Sequence, residues 1–396
     1  LTTSQAILLL LIGYIVFTID KKQDNFPVPV ILVLLGIGLY FIPYFSSVEV
    51  TEKTIYHVFL PALLFTSAYQ FPADGFKKNA GIIAFLATVG IMLTVALLGG
   101  VIYALSGPFV SISFLGALLI ASILTPTDPV SVVSIIKSAA GDERVADVVE
   151  GESMINDGTS IVIFSALAGM FTGSKSVGVL SFLGEFLLVS LGGVLIGILF
   201  GWLMAKAVHF THHRHYQVML SIVLAYGTFN LAEAIGVSGV LATVFAGIML
   251  SFEYGTAERE EHFRESLDGF WEIAEMSLLA LLFLLIGIQA AKFLIFDGWL
   301  FAVIIFALSL FIRFIVILAS TQMFSEWRHH ISWRESTLIS WSGLKGSMSV
   351  YLILSIYSQS SSGDADLIIS LSFAAVLISL IVQSLGVAPL SKKLIK

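Results

Sequence analysis

Apolar residues run along this chain in long blocks, with the polar positions gathered into short breaks between them. A helix needs about 20 mostly apolar residues to cross the hydrocarbon core of a bilayer. Blocks of that kind lie near 4–19, 27–44, 54–70, 80–105, 111–136, 144–172, 178–205, 216–232, 237–252, 268–291, 298–324, 333–358 and 366–390. The breaks include Asp20 to Phe26, Ala73 to Lys78 and Ser325 to Ser332, and the longest, Glu253 to Leu267, is charged enough to suggest an interfacial helix. The pattern predicts an all-α membrane protein of about thirteen transmembrane helices.

Composition agrees with lipid as the solvent. Only 12% of residues are charged and mean hydropathy is +0.97, about half the charge of a soluble domain. The net charge of −7 does not point to nucleic acid, because in a membrane protein the sidedness of charge matters more than its sum. Without cysteine there is no disulfide framework, thiol catalyst or thiolate metal site. The first apolar run lacks a basic n-region and a small-residue cleavage site, so no signal peptide is expected. No P-loop pattern occurs, so direct ATP drive is not expected. Neither is an enzyme or a cofactor.

Lys and Arg in the breaks are strongly asymmetric. One side collects Lys21, Lys22, Lys77, Lys78, Lys137, Arg144, Lys206, Arg214, Arg259, Arg264, Arg328, Arg334, Lys392, Lys393 and Lys396, and the other only Lys53, Lys175 and Lys292. The positive-inside rule therefore puts the C-terminus in the cytoplasm and the N-terminus outside. The remaining basic residues, Arg313 and Lys345, fall inside spans.

Two spans are interrupted. The fifth carries Thr125-Pro126-Thr127-Asp128-Pro129, and two prolines so close remove backbone donors and clash with the preceding turn. The twelfth carries Gly343-Leu344-Lys345-Gly346 between Ser342 and Ser347, and glycine weakens a helix. Taking spans one to six (1–172) and eight to thirteen (216–390) as two units joined by span seven (178–205), the breaks at 125–129 and 343–346 occupy the fifth helix of each. Each unit has an even number of spans, so the odd linking span inverts one against the other. Interrupted helices at matching places in inverted repeats mark a transporter's midplane site.

Span six carries Gly151-Glu152-Ser153-Met154-Ile155-Asn156-Asp157-Gly158-Thr159 at mid-membrane, where an unpartnered ionised side chain costs several kcal/mol. Helical spacing stacks Ser153 with Asp157 and Glu152 with Asn156. Sodium and potassium are oxygen-seeking ions, and a carboxylate, hydroxyls and freed carbonyls can replace their hydration shell. Asp157, Ser153, Asp128 and Thr127 suit that role. Burial disfavours the charged form of a carboxylate, so the same group can also take a proton, and competition for it couples two fluxes. Arg313 demands an anionic partner, for which Glu152 is the candidate if Asp157 is kept for transport. Lys345 could neutralise the broken helices, hold Asp128 or titrate itself.

At these residues the sequence resembles the monovalent cation/proton antiporter family, in the branch of prokaryotic and animal sodium/proton exchangers. The likeness covers nearly the whole chain. It rests on Thr127-Asp128-Pro129, Gly151-Glu152-Ser153, Asn156-Asp157 and Arg313, with Ala232-Glu233, Ser238 to Ala242, Gly247 and Leu60-Pro61 in support. The resemblance implies a homodimer in the cell membrane that serves pH homeostasis. A core of spans four to six and eleven to thirteen would move, elevator-like, against a scaffold of the remaining spans. It makes Asp157 the shared carboxylate, adds Asn156 to the site, and implies electroneutral exchange from the Asn156-Asp157 pair. Lys345 departs from the arginine, and Thr66 from the carboxylate, that many relatives carry. Ion choice among sodium, potassium and lithium is left open.

Other signals are weaker. His209, His212, His213 and His215 read as a solvated basic loop rather than a pH sensor, and Glu233 and Gln289 as partners for neighbouring polar groups. Gly193, Gly197 and Gly201 make a smooth face equally suited to a dimer contact or to internal packing. A cation channel would also line its path with carboxylates. An intramembrane aspartyl protease could pair Asp128 with Asp157, but leaves the broken helices and Arg313 unexplained.

Overall fold

The computed structural model describes residues 1–20, 28–128, 133, 136, 143–173, 178–210, 214–256, 261–328, 331–359 and 363–394, which are nearly all helical with no β-strand among them. We label the main helices α1 (Thr3–Asp20), α2 (Val28–Tyr40), α3 (Leu60–Gln70), α4 (Ala73–Ser106), α5 (Phe114–Ile123), α6 (Glu143–Phe171) and α7 (Val179–Phe210). They continue as α8 (Arg214–Ile235), α9 (Gly239–Thr256), α10 (Glu261–Ala291), α11 (Trp299–Met323), α12 (Trp333–Trp341), α13 (Ser347–Gln359) and α14 (Gly363–Leu394). Eight of the described helices are long and apolar enough to cross a membrane, and α2, α5 and α9 are shorter apolar helices.

Helix boundaries follow local chemistry. Pro61 lies where the π-helical turn Ile55–Phe59 runs into α3, a wider turn that accommodates a residue with no N–H to donate, and Ser113 caps α5 by accepting from the Gly116 N–H at 3.0 Å. Ser332 and Glu335 form a capping box at the start of α12. Gly236, at φ +87°, makes the turn between α8 and α9, a conformation that favours glycine.

Three boundaries differ from those read in the hydropathy. Ala73 to Lys78, expected as a break, is the start of α4: Pro72 precedes it in extended conformation, and Lys77 lies over the Phe252 ring at 4.9 Å, so a polar stretch extends the helix beyond its apolar block. The segment from Glu253 to Leu267 holds the end of α9 and the start of α10 rather than a separate interfacial helix, with 257–260 outside the described residues. A short helix, Ser325–Arg328, occupies the break before α12.

Burial separates inside from outside. In their most apolar windows α1 and α7 bury 22% and 28% of their residues, against 72% for α6, so α6 is central and α1 and α7 present leucine-rich faces outward. Lipid competes with apolar side chains for contact, so membrane helices are held by close packing of small residues. Gly36 of α2 meets Gly287 of α10 backbone to backbone. Gly193, Gly197 and Gly201 of α7 lie against Ser238, which precedes α9, and Ala242, Ala246 and Met249 of α9, so this glycine face is used in packing within the chain.

Candidate ion-binding site

Two non-helical stretches meet at the centre of the molecule. The chain leaves α5 at Leu124 and runs non-helically to Asp128; Pro129 lies outside the described residues. The second stretch separates α12 from α13 at Ser342 to Gly346. They are joined where the Asp128 N–H donates to the Leu344 carbonyl at 2.8 Å. A Cβ at Gly346 would collide with the Asp128 side chain, and one at Gly343 with Arg313 and Thr127, so glycine is what lets the stretches cross this closely.

Backbone groups released by an interrupted helix must find partners away from water. The Thr125 hydroxyl donates to the Ala121 carbonyl at 2.6 Å. On the other break, Gln383 Nε2 of α14 donates to the carbonyls of Trp341 at 2.7 Å and Gly343 at 3.3 Å, and Ser379 Oγ accepts from the Lys345 N–H at 3.1 Å. Ser379 also hydrogen-bonds Gln383 Oε1. Ser379 and Gln383 are not among the expected site residues, although two polar residues four apart inside an apolar span are a visible signal.

Around the crossing the polar residues form a network. Arg313 grips Glu152 with both terminal nitrogens, Nη2 to Oε2 at 2.6 Å and Nη1 to Oε1 at 3.2 Å. Asn156 Nδ2 donates to Glu152 Oε1 at 2.9 Å and to Thr127 Oγ1 at 2.8 Å, while its Oδ1 accepts from the Thr127 N–H at 3.4 Å. The Ser153 hydroxyl donates to the Thr127 carbonyl. Asn156 thus connects the ion pair to the first break.

A narrow, partly open cavity lies beside this network. One wall is Asp128, Ser153, Met154, Asp157 and Ser347; the other is Leu60, Leu63, Leu64 and Ser67 of α3 with Glu275 and Leu279 of α10. Asp157 is 9% exposed, and its Oδ1 is buried without a hydrogen-bond partner. Of the proposed ion-binding residues, Asp157, Asp128 and Ser153 line this space, while Thr127 and Asn156 stand behind it. Glu275 was not picked out from sequence: an acid in the first turns of a long apolar span looks like an interfacial residue.

Lys345 is buried at the second break, and among the described residues no carboxylate is within ion-pair distance of its ammonium. Thr66 is buried, donates to its own helix at Ala62 and does not line the cavity. Glu233 Oε1 accepts from Tyr56 Oη and the Gly239 N–H, both at 2.8 Å, whereas Gln289 Oε1 is buried without a partner. His212 and His213 lie outside the described residues, as does the side chain of His209.

Beyond Asp157, away from Glu275, aromatic side chains pack together. Tyr56, in a π-helical turn before α3, stacks on Tyr351 of α13 with ring centres 4.7 Å apart, and Phe229 packs edge-on against Tyr56. Ser358 Oγ donates to Glu52 Oε2 at 2.7 Å at the same end.

Known proteins resemble this chain in sequence and in fold. The sequence profile described as "Sodium/hydrogen exchanger, transmembrane" matches residues 7–393. The Na(+)/H(+) antiporter ApNhaP of Aphanothece halophytica is 32% identical over 98% of this chain and 74% of its own length. The Na(+)/H(+) antiporter NhaH of Halobacillus dabanensis is 31% identical over 98% and 97%. Among solved structures, the sodium proton antiporter MjNhaP1 of Methanocaldococcus jannaschii superposes with a TM-score of 0.78 over 99% of this chain and 98% of that one, at 19% identity, a likeness of fold. With the profile matching almost end to end and the two relatives aligned over nearly all of it, the chain belongs to the transmembrane sodium/hydrogen exchanger family.

Proposed function

We propose that this protein is a secondary antiporter that exchanges sodium for protons, with Asp157 as the group for which the two compete. The observation that carries the reading is a nearly buried carboxylate, facing a cavity, with one oxygen that accepts no hydrogen bond. A carboxylate in that setting is stable when a proton or a cation neutralises it. Sodium arriving through the cavity displaces the proton; a proton arriving on the other side displaces sodium. Asp128 and Ser153 contribute oxygens beside Asp157, and Thr127 and Asn156 hold the first break in place. Glu152 and Arg313 compensate one another, which leaves Asp157 for cargo.

Alternating access follows if the site crosses only when occupied. The cavity side has α4–α6 and α11–α14 as the moving core, with α3 and α10 in the scaffold, and the Tyr56–Tyr351 stack seals the other side. A channel would not need Asp157 to release a proton, so proton coupling separates exchange from conduction. The loop charges orient the cavity toward the cytoplasm, with the N-terminus external, in the cell membrane. Exchange is one for one, in a homodimer surrounded by lipid. Potassium and lithium are the competing cargo ions.

The test is sodium-driven proton movement in proteoliposomes carrying an imposed pH gradient. Sodium addition should shift the internal pH in the wild type, a clamped membrane potential should leave the rate unchanged, and Asp157→Asn should abolish the signal. Exchange that persists in Asp157→Asn overturns the mechanism.

A further inference from the structure

The cavity wall holds one carboxylate that the exchange cycle above does not use. Glu275 is half-buried on α10 and faces the same space as Asp157, with no cationic partner among the described residues. It shares that wall with Ser67 and four leucines, so an acid stands on a mostly apolar wall. A carboxylate at this depth without compensation is disfavoured, and a structural role would call for a counter-ion like the one Glu152 has in Arg313. Asp157, nine-tenths buried with an unpartnered oxygen in the same cavity, independently marks the space as one that receives a ligand.

We infer that Glu275 is a cation relay: a fixed carboxylate on the scaffold that receives incoming sodium in the cavity and passes it to Asp157. The inference rests on the reading of Asp157 as the transport carboxylate. α10 packs on α2, which it meets at Gly36 and Gly287, whereas Asp157 is carried by α6. When the core moves, Asp157 leaves and Glu275 stays. The relay therefore acts only in the state in which the cavity is open, and on only one side of the membrane. A negative group lining a cleft with low-dielectric walls raises the local concentration of cations, so its effect falls on half-saturation rather than on the turnover of an occupied site.

The experiment compares everted and right-side-out membrane vesicles, measuring sodium-dependent proton exchange for wild type, Glu275→Gln, Glu275→Asp and Asp157→Asn. Glu275→Gln should raise the sodium KM roughly three- to tenfold at the cytoplasmic face, leave it unchanged at the external face, and change the maximal rate by less than about twofold. Glu275→Asp should restore much of the wild-type KM. Choline chloride should raise the wild-type KM toward that of Glu275→Gln, because salt screens the carboxylate. An unchanged KM in Glu275→Gln, an equal rise on both faces, or a lost maximal rate with KM intact overturns the relay. Exchange missing in wild type or surviving in Asp157→Asn overturns the antiport reading instead, so the two failures are separable.

Discussion

Glu152 and Arg313 show why a charged pair can persist at the centre of a membrane protein. Removing one member of a buried pair leaves the other uncompensated, at a cost of about 3–5 kcal/mol. Arg313→Met should therefore destabilise strongly, and adding Glu152→Gln should recover part of the loss; thermal unfolding of the single and double variants in detergent measures the coupling. Additive losses would mean that the bidentate contact is not what stabilises the two groups. Asn156 is the hinge of the same network, since one amide serves both Glu152 and Thr127. Asn156→Ala leaves both with one donor fewer and should cost about 1–3 kcal/mol, read in the same assay.

Packing between elements depends on how closely backbones approach. Gly197 lies against the Ala242 carbonyl and the Phe245 Cβ, so Gly197→Leu must push α7 away from α9. Such overpacking costs typically about 1–3 kcal/mol. The expected outcome is a lower unfolding temperature with the oligomeric state unchanged by light scattering; dissociation into monomers without loss of stability would instead make this face a dimer contact. The interrupted helices depend in the same way on α14. Gln383→Leu strands the carbonyls of Trp341 and Gly343, at about 1–3 kcal/mol for each buried group left without a partner, and should destabilise more than an apolar-to-apolar change at a neighbouring buried position such as Leu380→Ile.

For the whole molecule, the exchange mechanism proposed above makes the cavity and the Tyr56–Tyr351 stack features of one of two alternating states. The chain has no cysteine, so a single introduced thiol reports access cleanly. Ser67→Cys should react with a membrane-impermeant maleimide from the cavity side and resist it from the opposite face until the core moves. Rapid labelling of Ser67→Cys from the opposite face would show that the Tyr56–Tyr351 stack does not seal that end.

Much of this was legible in the hydropathy, because a bilayer requires backbone groups to be satisfied within helices and so writes each span into composition. The all-helical architecture follows from that rule, and so do the two interruptions, since Pro126 and the Gly343–Gly346 pair act on the chain locally. Span ends at Ala73 and Glu261 were less legible, because polar residues continue a helix past its apolar block. The acids of α6 stood out because charge is costly at mid-membrane. The sequence by itself determined that these polar groups must face inward and that Arg313 needs an anion. Only the tertiary structure decided that the anion is Glu152, that the glycine face of α7 is used by α9, and that Ser379 and Gln383 serve the second break. It also set Glu275 opposite Asp157. The physical reason is that cost depends on a residue's own depth, whereas partnership depends on which distant helices pack side by side.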